Sequence, residues 1–300
     1  MKAPRFEYRA PRSLEEALEA LADAPDETSL LAGGQSLMPL LNLRMARPEI
    51  LVDLGRVDEL AEVERLDGTL RIGAMVRQRR LETDASIATD IPLLPEAAGF
   101  VAHVPIRTRG TVGGSLAHAD PSAELLPTMA ALGATLRVRR AGAAARTVPA
   151  ESFAVGPLMT VLEPGEMVVS VDVPIPARGT GWSFQEVART HGAFALAGAA
   201  AVVRSDGEGR IAHARLALCG VGGVPYVPAW VGDSLARQVP GEALFAAIGR
   251  RVRDEVAPFA DGHAGSEYRR RVAGVLAARA LATAARRAGN HVDGGLEERG

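Results

Sequence analysis

The 300-residue chain has a single lysine, Lys2, so 33 of its 34 basic residues are arginine. That scarcity excludes a P-loop, a Schiff-base lysine and a lysine general base, each of which needs an ammonium group beyond residue 2. Cysteine is as rare. Cys219 alone cannot close a disulfide within the chain, cage a zinc ion or carry an iron–sulfur cluster, so any such cluster must sit on another subunit. No apolar run approaches the roughly 20 residues that cross a bilayer. Nor does an apolar h-region precede the first acidic residues, so we expect no membrane span, no secretion signal and a cytoplasmic location. The net charge of -2 and the absence of a basic patch with interleaved aromatics argue against a nucleic-acid partner. The six histidines lack His-x-x-x-His or His-Glu-x-x-His spacing, so no metal site is expected.

What remains is a soluble-type composition, 47% hydrophobic and 23% charged, on a chain long enough for two domains. Ser13 and Glu16 form a capping box, and Leu14, Ala17, Leu18 and Leu21 then share one helical face. A short apolar strand from Ser29 to Ala32 leads into Gly33-Gly34-Gln35-Ser36 and a helical stretch through Leu37, Leu40, Leu41 and Met45, with Pro39 in its first turn. Strand, glycine turn and helix is the order of a phosphate cradle. Ile50 to Leu54 reads as a strand, 61–75 as a hairpin pair and 92–103 as an apolar helix.

Ile106 to Ala119 shows no period and crowds Gly110, Gly113 and Gly114, so it reads as a loop ahead of a helix over 122–132. Strands over 135–140 and 167–173 end at the Pro174 to Gly179 linker, where we place a domain boundary. Beyond it, 182–189, 194–204 and 211–221 suit an antiparallel meander, followed by helices over 241–256 and 266–287. The polar stretch 289–300 is expected to be a mobile tail. Phe194 and Trp182 read as core aromatics and Cys219 as a small buried hydrophobe.

Gly-Gly occurs four times, about what the glycine content predicts, so the pair by itself signifies nothing. Context favours 33–34 and 113–114. Consecutive glycines let backbone N–H groups converge on an anion, and the hydroxyls of Ser36, Thr111 and Ser115 add donors, although either segment can equally be a plain turn. Neither fits Gly-x-Gly-x-x-Gly, Gly-x-x-x-x-Gly-Lys or Gly-x-Ser-x-Gly, which counts against a nicotinamide Rossmann domain and a serine hydrolase.

Leu30 to Pro39, with Arg44, Pro48 and Leu51-Val52-Asp53, resembles the first FAD-binding segment of the flavoprotein subunits of molybdenum hydroxylases. These are the medium subunits of the carbon monoxide dehydrogenase and xanthine dehydrogenase type. Ile106 to Ser115, continued by His118 to Glu124, resembles their second segment, and the likeness runs from about residue 3 to 288. The resemblance implies an α+β chain: a PCMH/vanillyl-alcohol-oxidase-type FAD-binding domain of two subdomains (1–57 and 58–177), then a C-terminal antiparallel-sheet and helix domain (178–288). It implies FAD contacts from Leu31, Ala32, Gly33, Gly34, Gln35, Ser36 and Leu37, and from Thr111, Val112, Gly113, Gly114 and Ser115. By position it adds His118, Ala119, Asp120 and two flavin contacts, Val101 and Glu124. Val168 stands where the family touches adenine, and Gln185 is matched to a flavin-contacting lysine.

The chain departs from the family at Thr108 for Asn, Glu124 for Asp, Gln185 for Lys and Ala193 for Asp. Asp120 either caps the helix near Ser122 or touches FAD, and Arg107 and Arg109 face phosphate, solvent or a partner.

With FAD bound, no acid, base or nucleophile of the protein is required. The implied role is electron transfer from an iron–sulfur small subunit, itself fed by a molybdenum-cofactor large subunit, in a dimer of heterotrimers. Two other readings stay open: a stand-alone FAD-dependent oxidoreductase of a small organic substrate, and a flavin-free assembly module.

Overall fold

The computed structural model describes residues 2–293. The first unit comprises β1 (Glu7–Arg9), α1 (Leu14–Ala22), β2 (Thr28–Leu31), α2 (Leu37–Asn42) and β3 (Ile50–Asp53). Its three strands form a parallel sheet in the order β1-β3-β2. The capping box sets the start of α1: the Ser13 hydroxyl accepts the Glu16 N–H at 3.2 Å, while the Glu16 carboxylate takes the Arg12 N–H at 2.8 Å. Ala17, Leu18 and Leu21 are then buried against Ile50 and Val52 of β3.

The second unit begins with the hairpin β4 (Val63–Leu66) and β5 (Thr69–Gly73). Six short helices follow: α3 (Gln78–Thr83), α4 (Ala85–Asp90), α5 (Leu93–Ala98), α6 (Val104–Arg109), α7 (Val112–His118) and α8 (Leu125–Ala131). The strands β6 (Thr135–Arg139), β7 (Arg146–Pro149), β8 (Ala154–Gly156), β9 (Met159–Thr160) and β10 (Met167–Pro174) complete it. Its antiparallel sheet runs β4-β5-β10-β6-β7, and β8 pairs with β9 alone. The expected loop over 106–119 is instead α6 and α7, joined at Gly110. Each helix spans about two turns, too few for a hydrophobic period to show in sequence.

The third unit is the expected meander, β11 (Thr180–Ala188), β12 (Ala195–Ser205) and β13 (Ile211–Cys219), followed by α9 (Trp230–Leu235), α10 (Glu242–Glu255) and α11 (Ser266–Asp293). Residues 289–293 therefore close a helix and do not belong to a tail, as the helix-favouring alanines and arginines of α11 allow; residues 294–300 lie outside the described ones. Among the described residues no helix is long and apolar enough to cross a membrane.

The strand β12 is buried on both sides. Ala197, Ala199 and Ala201 face α11, while Ala200 and Val202 join the core of the second unit with Phe184 and Ala217. Alternation assigns the two faces. The shared core is tied polar-wise as well: Glu96 accepts the Phe184 N–H at 2.8 Å and the Arg287 guanidinium at 2.6 Å. Phe194 is not in a core; it is 74% exposed at the β11–β12 turn. Cys219 is fully buried, and Trp182 packs against the core with Arg287 over its ring.

Candidate cofactor site

The two glycine segments, about eighty residues apart in sequence, lie against each other. A Cβ on Gly33 would fall 2.7 Å from the Cα of Gly110 and into the Arg109 carbonyl, while one on Gly114 would stand 3.3 Å from the Cβ of Ala32. Only hydrogen at Gly33 lets the two backbones approach so closely.

Their hydrogen bonding differs. In the first segment Gly34 takes a left-handed φ of 73°, and the Gln35 side-chain amide donates to the Gly33 carbonyl at 3.2 Å. Among the described residues no acceptor takes up the N–H groups of Gly33, Gly34, Gln35 or Ser36. These donors open just before α2, with Leu31 and Leu37 as apolar neighbours in the strand and helix on either side. In the second segment the N–H groups of Val112 to Ser115 are occupied. Val112 N–H bonds to Val76 O at 2.9 Å, Gly113 N–H to Ala74 O at 2.8 Å, and Ser115 N–H to Thr111 O at 3.1 Å. Gly114 N–H bonds to Thr111 Oγ1 at 3.1 Å. The expectation of a second N–H cradle is therefore corrected. The segment 111–115 is the capped start of α7, bound to the connection after β5, and beside hydroxyls and Cβ-free surface it offers the N–H of Thr111 alone.

Beneath the pair lie residues that sequence reasoning did not single out. Gln78 sits against Gly110 with its Oε1 buried and unpartnered among the described residues. Arg77 donates to the Arg109 carbonyl, and burial, with the Arg109 charge nearby, pulls its pKa down. Arg107 faces neither phosphate nor partner. It is buried, binds Glu82 through Nε at 2.9 Å, and clamps the carbonyls of Val101 and Ala102 at 2.8 and 2.9 Å. It thereby holds Val101 in place.

After α7 the chain turns through Ala119, left-handed at φ 49°, below a half-buried His118. Asp120 accepts the Ser122 N–H at 2.8 Å, an Asx turn and not a helix cap. Glu124, 7% exposed at the start of α8, has its carboxyl pushed up to about 7, by burial first and then by Asp120. Across the seam, Glu186 of β11 is pushed up to about 8 by burial and by the Glu124 charge, and its Oε2 has no partner among the described residues. Burial raises the Cys219 thiol well above its ordinary value, and both carboxyls add to the rise. Val168 is buried in β10 within the core of the second unit.

Gln185 is not brought to this seam. Its amide donates to Thr283 Oγ1 of α11 at 3.3 Å, on the opposite face of the strand. Glu186 takes the inward position, one residue on, because successive side chains of a strand point to opposite faces. The signal was present in the sequence: Trp182, Phe184 and Glu186 alternate with Ser183 and Gln185.

The residues fit FAD on the diphosphate side, where open N–H donors meet a glycine that no Cβ could replace. Among the described residues no group of three or more His, Cys, Asp or Glu could hold a metal.

Residues 4–176 match the family described as FAD binding domain in molybdopterin dehydrogenase, and residues 182–284 match the CO dehydrogenase flavoprotein C-terminal domain. The chain is 38% identical over 288 residues to the 6-hydroxypseudooxynicotine dehydrogenase complex subunit alpha of Paenarthrobacter nicotinovorans, covering 96% of this chain and 97% of the relative. It superposes on a chain of quinoline 2-oxidoreductase from Pseudomonas putida 86 with a TM-score of 0.90 and 42% identity, covering 96% and 99% of the two chains. Against a chain of carbon monoxide dehydrogenase from Hydrogenophaga pseudoflava the TM-score is 0.92 with 36% identity, again over 96% and 99%. Matched along nearly its whole length in sequence and in fold, the chain belongs to the FAD-binding flavoprotein subunits of the molybdenum hydroxylases.

Proposed function

We propose that this chain accepts electrons from the iron–sulfur clusters of a small subunit and passes them to an external acceptor. It would work in a cytoplasmic complex whose large subunit carries the molybdenum cofactor, as a dimer of heterotrimers. FAD supplies the redox chemistry; the chain supplies binding, orientation and exclusion of water. The first glycine segment holds the diphosphate through the N–H groups of Gly33 to Ser36, beside the partial positive end of α2. The second segment backs the first, and Thr111 and Ser115 add hydroxyls. Val101 and Glu124 serve the flavin side and Val168 the adenine side, while Glu186, rather than Gln185, reaches the seam from the third unit. A chain with one buried cysteine has no ligands for clusters, which suits a division of labour between subunits.

The observation that carries this reading is the contact between the glycine segments, with a run of four open donors on its first side. The test is the visible spectrum of the purified chain. Oxidised flavin absorbs at about 450 nm, and the band should bleach on adding the organic substrate only when both partner subunits are present. Bleaching by substrate with the isolated chain would instead support a stand-alone oxidoreductase. A colourless protein that takes up no FAD would overturn both.

A further inference from the structure

The outer side of the third unit carries a furrow that FAD binding does not use. The helices α10 and α11 touch at Gly249 and Gly274, where a Cβ on Gly274 would lie 2.5 Å from the Gly249 carbonyl oxygen. This close approach leaves a groove of about 740 Å³, floored by small residues such as Ala246, Ala278 and Ala282. Its lining runs from Gly241 to Arg253 on α10 and from Arg271 to Arg286 on α11, about 20 Å at ~1.5 Å per residue. With small residues on its floor and long side chains on its rims, the groove takes one row of side chains along its length.

Both lips are arginine. Arg250 and Arg253 stand on α10, and Arg271, Arg279 and Arg286 on α11, against one lining acid, Glu242. Arg250, Arg279 and Arg286 have no ionic or hydrogen-bonding partner among the described residues. Lysine scarcity explains why these residues are arginine, but not why they lack carboxylates. Other helical arginines find them: Arg79 with Glu82 at 2.6 Å, Arg80 with Asp84 at 3.0 Å and Arg251 with Glu255 at 2.7 Å. Val275, 43% exposed, adds an apolar wall inside this positive frame.

We propose that the furrow seats one apolar ridge of an amphipathic helix with carboxylates on its flanks, presented by another polypeptide. A ridge of side chains fits between two packed helices as ridges fit grooves generally. A fatty acyl chain would also fill the width. It carries charge at one end only, however, whereas the arginines flank the groove on both sides and along its length. The exposed lips lie on the side of α10 and α11 away from β11–β13, so an occupant leaves the cofactor seam open.

The test uses the full-length FAD-loaded protein and a fluorescein-labelled helical peptide of about 16 residues, with a leucine ridge and glutamate flanks. Anisotropy at low salt should show saturable micromolar binding that weakens as salt rises. The triple substitution Arg250→Glu, Arg279→Glu and Arg286→Glu should weaken binding by about tenfold or more, with flavin absorbance and Tm unchanged. Val275→Glu, which leaves the arginines intact, should weaken it as well. A lysine-flanked peptide should not bind. Absence of binding to the wild-type protein, or equal binding by the triple variant, would overturn the proposal. So would palmitate binding more tightly than the peptide and being lost on Val275→Glu, which would assign the groove to an acyl ligand.

Discussion

The two glycine pairs look alike in sequence and are put to different use by the fold. Gly33-Gly34 keeps its N–H groups open and stands against another stretch of main chain. Gly113-Gly114 lies inside α7, its N–H groups bonded to Ala74 and Thr111 and its faces packed on Ala74 and Ala32. One pair leaves its donors open to a ligand; the other is close-packed support that holds the first in position. A motif match assigns both to the cofactor without distinguishing binding from buttressing.

Substitution can break this comparison most directly. In Gly113→Val the new Cβ meets Ala74 Cβ at 2.5 Å, within a segment bonded to the β5 connection, so the second unit itself is expected to suffer. We expect a loss of more than about 3 kcal/mol, read as a fall in Tm or as insoluble protein. Gly33→Val meets main chain as closely, at the Gly110 Cα, but between the first and second units, so it should part the two segments and remove bound FAD, raising the ratio of protein to flavin absorbance at least about tenfold, with a smaller fall in Tm and native far-UV circular dichroism. If both variants unfold equally, or both keep stoichiometric FAD, the distinction fails.

A middle-sized effect comes from the seam between the second and third units. Glu124 is raised to about 7 from an ordinary value of 4.5, so the folded state binds a proton that the unfolded state releases. Its contribution is fully present below about pH 4.5 and is lost as pH rises through about 7, the sign expected of an acid whose folded pKa is raised. In apo-protein, Glu124→Gln should raise stability at pH 8 by roughly 1–3 kcal/mol relative to wild type. The difference should vanish near pH 4.5. A pH-independent difference would separate Glu124 from the proton.

The smallest effects sharpen the comparison. Thr111→Val removes both the cap of α7 and a hydroxyl offered to the diphosphate, so it should lower stability by about 1 kcal/mol and weaken FAD binding several-fold together. Ser36 precedes α2 without a side-chain cap bond. Ser36→Ala should therefore change stability by less than about 0.5 kcal/mol, yet weaken FAD binding several-fold in a fluorescence titration.

Legibility followed length and period. The capped helix α1 and the long strands β10 to β13 show their periods in sequence. The short helices α6 and α7 do not, and a glycine pair within fewer than two turns reads as a turn. Arg107 looked like a surface charge because a sequence cannot show that Glu82 and two carbonyls await it. Gln185 and Glu186 differ by one step of a two-residue period. Composition could not choose between them, although alternation along β11 could.

The sequence by itself determined what this chain has to work with. With lysine confined to residue 2 and one cysteine, an anion is left to backbone N–H, hydroxyls, arginine or histidine, and a metal cluster must be held elsewhere. Only the tertiary structure decided which N–H groups remain free and which carboxyl crosses the seam. A donor is available or occupied according to what folds against it, and for the second glycine pair that is the chain around Ala74, some forty residues upstream.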